Sequence, residues 1–263
     1  MTWSGAITVV AGNGPSLARI LPGRVCASDR MVRLNNFFFE RAYYLGRRVD
    51  LAVIGGDPRV APFVFKTLHQ QSAAYQIAAW TTHDSRLIAP GQRRLTVAYT
   101  PVRYRPAHQR LVEALQAKTG LKPTSGIFAV MAALALWDGP VLLAGIDLYS
   151  GSTRYAYAPT RHQRDLLGAD LHSRGYDTRL HSQALDRQIL GALAEDPDVT
   201  LWRSTRDGPL TDLMDLAPHR PGTTIAPVLR TPPTDWAARA GLYPVAALKA
   251  MRRLRTKQRQ LTA

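Results

Sequence analysis

Three groups of residues carry side chains whose types and spacing could do chemistry on a bound anion. His181 stands just ahead of an amphipathic pattern in RLHSQALDRQIL, residues 179–190. Histidine as a residue type titrates near pH ~6.5, so an imidazole there could take the proton of an attacking hydroxyl. Tyr149 and Tyr155 lie six apart around a Ser/Gly loop. Their hydroxyls can donate hydrogen bonds that strengthen as negative charge builds on a departing phosphate, although paired tyrosines also serve as packing residues with wet tips. Thr124, Ser125 and Gly126 open the apolar stretch LKPTSGIFAVMAALAL, residues 121–136, with Lys122 two residues ahead. Free helix amides, the positive end of a helix dipole and a lysine would make an anion cradle; capping alone would also account for Thr and Ser.

Two further clusters sit where a strand should end. Gly12, Asn13 and Gly14 interrupt the apolar run VVAGNGPSLARI at residues 9–20. The turn lacks the third glycine of a dinucleotide fingerprint, and Pro15 removes an amide that a phosphate would use, so NAD is disfavoured. Asn13 instead offers donor and acceptor together between two glycines that let a ligand approach closely. Gly145 and Asp147 close the strand-like VLLAGIDLY, where the carboxylate could accept from a ribose or base.

The elements that must position these residues alternate strand and helix. Strands are expected at Ile7–Ala11, Val25–Leu34, Val49–Gly55, Tyr75–Trp80, Leu95–Tyr99, Val141–Tyr149 and Val199–Ser204, and helices at Phe37–Leu45, His108–Lys118, Gly126–Trp137 and Ser182–Ala194. Apolar strands separated by helices imply an α/β fold, a Rossmann-like, mainly parallel sheet flanked by helices. Ligands of such sheets bind beyond the carboxyl ends of the strands, where the Gly12–Gly14 turn and the stretch from Gly145 to Tyr155 fall.

Composition narrows the partner. The 263 residues are 46% hydrophobic, enough for one large domain or a domain with an appendage. Cys26 is the single cysteine, so no internal disulfide is possible. No apolar leader and no run of about 18 apolar residues is present, which argues against export and membrane spanning. A formal charge of +15 calls for an anionic partner: nucleic acid, an anionic membrane or an anionic small substrate. No Cys/His ligand cluster and no D-x-D-like pair near the strand ends suggests a metal, so none is expected.

In order, AGNGPSL, RLNNFFFERAYYLG (33–46), TSGIFAV, LLAGIDLY, STRYAY, RLHSQALDRQIL and LMDLAP (213–218) resemble the successive motifs of the Campylobacter-type bacterial sialyltransferases, over about residues 8–218. The resemblance implies a single-Rossmann, GT-A-like variant that moves sialic acid from CMP-sialic acid to a lipooligosaccharide glycan, with inversion and without metal or other cofactor. It implies that Asn13 and Asn35 hold the nucleotide and donor sugar, that Thr124, Ser125 and Gly126 meet the donor, and that Gly145 and Asp147 lie at the cytidine ribose. Tyr149 and Tyr155 would bond the leaving phosphate, and His181 would be the general base, with His162 and His172 as alternatives. The sequence departs from the family twice. Lys122 stands where an arginine is expected, keeping charge but losing the bidentate fork. Gly55, Gly56 and Asp57 stand where a donor-binding asparagine is expected, which leaves open CMP-Kdo or another CMP-nonulosonate.

These readings divide the chain into a catalytic domain (1–155 and 181–240), a polar lid (156–180) that would exclude water, and a basic tail (241–263). In the tail, Ala247, Met251, Leu254 and Leu261 form a narrow apolar stripe beside Lys249, Arg252, Arg253, Arg255, Lys257 and Arg259, a pattern suited to anionic lipid. The expected location is cytoplasmic, peripheral at the inner face of the cytoplasmic membrane, and a homo-oligomer is compatible with the reading. A nucleic-acid-binding protein should interleave basic and aromatic residues, and the cations here concentrate in lid and tail, so no specific nucleic acid is expected. A silent CMP-binding module would bind without transfer, and His181 with both tyrosines argues against it.

Overall fold

The computed structural model describes residues 3, 5–171, 175–222, 224–241 and 243–261, without the side chains of 255–257 and 259–261. Eight strands form one all-parallel sheet: β1 (Thr8–Ala11), β2 (Arg30–Leu34), β3 (Leu51–Val53), β4 (Ala79–Thr81), β5 (Ala98–Tyr99), β6 (Val141–Ala144), β7 (Leu201–Arg203) and β8 (Asp215–Leu216). Their order is β8-β7-β6-β1-β2-β3-β4-β5. The chain thus winds outward from β1 to β5, returns past β1, and winds outward again to β8. Register is set by apolar side chains buried on both faces: Val10 and Leu143 face one cluster, Val9 and Leu142 another.

The helices are α1 (Ala61–Gln70), α2 (Ile88–Gln92), α3 (Pro106–Thr119), α4 (Ser125–Leu136), α5 (Arg161–Leu167), α6 (Gln183–Ala194) and α7 (Val245–Leu261). On one face α4 buries Ile127 and an unbroken run from Ala129 to Leu134 against the strands, with α3 and α6 outside it. A helix apolar all round belongs between other elements, and α4 lies there. The opposite face is covered by α1, α2 and residues of α5 and α7 around Trp80 and Phe65.

Seven of the strands follow the sequence pattern with changed bounds, β8 was not expected, and one segment differs in type. Phe37–Leu45 is not a helix: a single 3-10 turn at Phe37–Phe39 leads to a short antiparallel pairing of Ala42–Tyr43 with Val228–Leu229. Arg33 and Glu40 form a buried ion pair (2.6 Å) there, joined by Tyr75 through its hydroxyl to Glu40 (2.8 Å), so the polar residues of this motif lock the loop under the sheet. Helix α1 was not expected; it buries Phe63, Val64, Phe65 and Leu68 and leaves Lys66 and His69 half-buried and Gln70 exposed. Within 156–180, α5 begins with a capping box between Thr160 and Gln163 and buries Leu166.

Candidate active site

Because β1 is bounded by both β2 and β6, the direction of winding changes there, and a crevice opens beyond the carboxyl ends of β1 and β6. The loops after these strands meet backbone to backbone: Gly12 N donates to Ala144 O (2.9 Å) and Gly14 N to Gly145 O (2.8 Å). A Cβ on Gly12 would stand 2.3 Å from the Gly145 oxygen, and one on Gly14 2.3 Å from Asp147 Oδ2. Both glycines are therefore fixed by loop-to-loop contact. Asp147 accepts from Ser16 N (2.8 Å) and borders a small recess with Ser204 and Leu210.

Asn13 and Asn35 stitch the neighbouring loops. Asn13 Nδ2 donates to Leu34 O (2.9 Å), its carbonyl accepts from Ala156 N (2.7 Å), and Asn35 Oδ1 accepts from Gly55 N (2.8 Å). Among the described residues Asn13 Oδ1 and Asn35 Nδ2 have no hydrogen-bond partner. Asn35 (φ 47°), Leu148 (φ 48°) and Tyr149 (φ 56°) are the described non-glycine residues with positive φ, and all three lie at this edge. Such conformations cost about 1–3 kcal/mol each and gather at functional sites.

The two tyrosines are brought together, ring centroids 6.3 Å apart at 82°. Burial, then the neighbouring Tyr155, holds the Tyr149 hydroxyl well above its ordinary pKa, and burial pushes Tyr155 up to about 12. Both are donors at neutral pH. Tyr155 Oη donates to Gly175 O, and Tyr176 packs 4.7 Å from Tyr149, so the 156–180 segment reaches directly onto the pair.

His181 is held by the segment ahead of α4. Its Nδ1 lies 2.7 Å from Lys122 O, and Lys122 N donates to Leu180 O (2.7 Å). A carbonyl can only accept, so Nδ1 carries the hydrogen and Nε2 keeps a lone pair. The Lys122 side chain itself is exposed. One turn into α6, Asp186 accepts from Thr124 N (3.0 Å) and from Thr124 Oγ1. Thr124 consequently makes no side-chain cap on α4, and the capping account of this residue fails. Burial pushes the Asp186 carboxyl up to about 6 against the hydrogen bonds from Thr124 and the charge of His181.

His83, which the motif reading passed over, stands two residues beyond β4. Its ring stacks on Phe128 at 4.1 Å and 6°, and a Cβ on Gly55 would come within 2.4 Å of both His83 Cε1 and Ser125 Oγ. Burial pushes its pKa down to about 4, with His181 and Lys122 adding to the shift against Asp84. Its Nδ1 is buried without a hydrogen-bond partner among the described residues. A polar atom left so in a cleft asks for a ligand, and the available signal was a histidine directly after a strand.

Two expected groups are otherwise engaged. Asp57 is taken up by Arg59 (2.7 Å) and Arg252 (2.8 Å). Burial would raise its pKa, but hydrogen bonds and charge from Arg59, with charge from Arg252, outweigh it and hold the carboxylate below the usual range. His162 is tied to Trp236 O (3.3 Å) and Asp235 (3.4 Å), and His172 lies outside the described residues. Among the described residues no helix is long and apolar enough to cross a membrane, and no group of three His, Cys, Asp or Glu could hold a metal.

No protein-family model and no curated protein matches the sequence. Solved structures do match. Sialyltransferase CstII from Campylobacter jejuni in complex with the substrate analogue CMP-3FNeuAc aligns with TM-score 0.76 at 20% identity, over 89% of this chain and 95% of that one. CstII with a trisaccharide acceptor and CMP aligns with TM-score 0.70 at 20% identity, over 89% and 95%. The monofunctional α-2,3-sialyltransferase Cst-I from the same organism aligns with TM-score 0.75 at 19% identity, over 98% of each chain. Along nearly its whole length the chain is built on the fold of these Campylobacter jejuni sialyltransferases.

Proposed function

We propose that the protein is a sialyltransferase, which moves sialic acid from CMP-sialic acid to a galactoside-terminated glycan such as lipooligosaccharide, with inversion and without a metal. The observation that supports this reading is a pair of protonated tyrosines at the switch point of the sheet, with Asp186 close enough to feel His181 and to act on Tyr149. His181 Nε2 takes the acceptor hydroxyl proton; the acceptor oxygen bonds to the anomeric carbon; the bond from that carbon to the phosphate oxygen breaks, and CMP leaves. Tyr149 donates to the phosphate as its charge grows, and Tyr155 does so by exchanging the Gly175 carbonyl for the phosphate. The site is made of Gly12, Asn13, Gly14, Asn35, Thr124, Ser125, Gly126, Gly145 and Asp147 around the donor. The α4 amides, uncapped by Thr124, serve its anionic groups.

The solved relatives support the donor and acceptor classes, since CstII carries CMP-3FNeuAc in one structure and CMP with a trisaccharide in another. A second reading keeps the chemistry but changes the sugar to Kdo or another CMP-linked nonulosonate. It is favoured by the surroundings of Gly55, where His83 and Ser125 fill space and Asp57 is bound to two arginines. We assign residues 1–155 and 181–240 to the catalytic domain, 156–180 to a lid over the tyrosines, and 241–263 to a basic tail on an anionic membrane at the inner face of the cytoplasmic membrane. The exposed Met251 and Leu254 support the last.

Incubation with CMP-N-acetylneuraminate, CMP-Kdo and a panel of galactosides, with CMP release recorded, decides the donor and acceptor. Calorimetric titration of CMP in excess chelator tests the metal-independent site. No binding there overturns the donor assignment.

A further inference from the structure

A groove of about 710 Å³ runs between the second half of α1, the residues after α2 and the segment ahead of α7. Its charged lining is Lys66, His69, Arg93, Arg94 and Arg239, with no carboxylate. Lys66 and Arg93 have no hydrogen-bond or ion-pair partner among the described residues.

Arg94 is built into the groove wall. Its Nε donates to Ala240 O (2.8 Å) and its Nη1 to Pro90 O (3.0 Å), which fixes the guanidinium plane and leaves donors over. Burial, then the like charge of Arg93, lowers its pKa, so the cation is held there without a counter-charge. A fixed guanidinium flanked by a lysine, a second and a third arginine and a histidine matches the acceptor oxygens and charge of a phosphate.

The groove is remote from the crevice. Arg94 lies four residues ahead of β5, toward the amino edge of the sheet, whereas the site lies beyond the carboxyl ends. Helix α7 links the two: it starts four residues after Gly241 of the groove, and its Arg252 reaches Asp57 in the loop after β3. Along it Met251 and Leu254 are exposed (37% and 68%). The helix that continues from the groove wall therefore carries exposed apolar side chains.

We propose that this groove is a second anion site, which takes the phosphate of an anionic lipid headgroup. It rests on the membrane-surface reading above and extends it from the tail to the body of the protein. Docking there would set the flank that carries α7 against the membrane.

The test is co-sedimentation of the full-length protein with phosphatidic acid vesicles and with neutral phosphatidylcholine vesicles. The variant is the triple Lys66→Gln, Arg93→Gln, Arg239→Gln; Arg94, which supports backbone carbonyls, is left intact. Each basic residue at an anionic surface is worth about 1 kcal/mol, so binding to the anionic vesicles should fall on the order of 100-fold. A control triple of the exposed Arg103, Arg110 and Lys118, each changed to Gln, removes the same charge elsewhere and should fall far less. An equal fall in both triples, or none in the first, overturns the site. Weaker binding of glycerol phosphate with unchanged vesicle binding assigns the groove to a free phosphate and overturns the lipid assignment. CMP calorimetry on the same triple reports folding and the crevice: retained CMP affinity with lost vesicle binding supports the groove. A wild-type protein that binds vesicles but no CMP would sink the transferase reading alone.

Discussion

The Nδ1 atom of His181 lies 2.7 Å from the carbonyl oxygen of Lys122, a backbone contact that settles which ring nitrogen is left for chemistry. With Nδ1 as donor, Nε2 is the nitrogen to which the proposed mechanism gives the role of base. His181→Ala should lower transfer by roughly 100-fold or more, while CMP binds with near-normal affinity in calorimetry. Lys122→Gln keeps the carbonyl and hence the tautomer, so it should act on the donor KM far more than on kcat. Wild-type turnover in His181→Ala sinks the mechanism.

Tyr149 and Tyr155 are held protonated by burial and stand 6.3 Å apart. A preorganised donor to a developing anion is commonly worth on the order of 100-fold in kcat. Tyr149→Phe and Tyr155→Phe should each show a loss of that order, with KM for the donor little changed, and the double variant should lose less than the product of the two. Steady-state kinetics with multiplicative losses would show that the hydroxyls act separately.

The sequence carried these positions because they are tied to strand ends. Asn13, Thr124, Gly145, Asp147 and Tyr149 follow apolar runs or open an apolar helix, and that local grammar survives folding. What was illegible depends on partners distant in sequence. Gly14 faces Asp147, 133 positions along, and only the close approach of their loops explains it. Asp57 read as a ligand group, yet Arg252 claims it from the far end of the chain. His83 gave no periodic or motif signal; its stacking on Phe128 and its orphaned nitrogen exist only in three dimensions. Helix α1 was legible and passed over: its buried Phe63, Val64, Phe65 and Leu68 share the helix with the less buried Lys66, His69 and Gln70 at helical spacing.

Gly175 supplies the carbonyl that Tyr155 bonds, with φ at +77°, and a Cβ there would sit 2.4 Å from Tyr149 Cδ1. Gly175→Ala should therefore push the segment off the tyrosines. The expected result is lower transfer and a larger share of donor lost to hydrolysis, because closure excludes water. Product ratios by chromatography measure it. An unchanged ratio removes the lid from the mechanism.

Helix α7 divides the tail into a docked and an exposed part. Val245 is 2% exposed, Leu248 packs on the core, and Lys249 and Arg252 pair with Asp165 and Asp57. Removing residues 253–263 should weaken binding to anionic vesicles while transfer to a soluble acceptor stays intact. Removing residues 245–263 should also lower the Tm, since burial of one valine is worth about 1.5–3 kcal/mol. Equal Tm values for the two truncations would show that the docking carries no stability.

Asp186 and His83 should pull the acid stability of the protein in opposite directions. Burial raises Asp186 to about 6 from an ordinary value near ~4, so the folded state binds its proton more tightly than the unfolded chain. Its contribution is therefore present below pH ~4 and lost as pH rises through about 6. Burial lowers His83 to about 4 from ~6.5, so the folded state binds that proton more weakly. Its contribution is present above pH ~6.5 and lost as pH falls through about 4. Each shift is about two pKa units, or roughly 3 kcal/mol, so the two trends offset each other between those limits. Asp186→Asn should leave His83 unopposed, and the variant should lose on the order of 3 kcal/mol relative to wild type as pH falls from 6.5 to 4. His83→Gln should leave Asp186 unopposed and gain a similar amount over that range. Urea midpoints at fixed m, taken as differences from wild type across pH, read both slopes. Slopes of the same sign in the two variants would refute the assignment, because burial acts on a carboxyl and an imidazole with opposite sign.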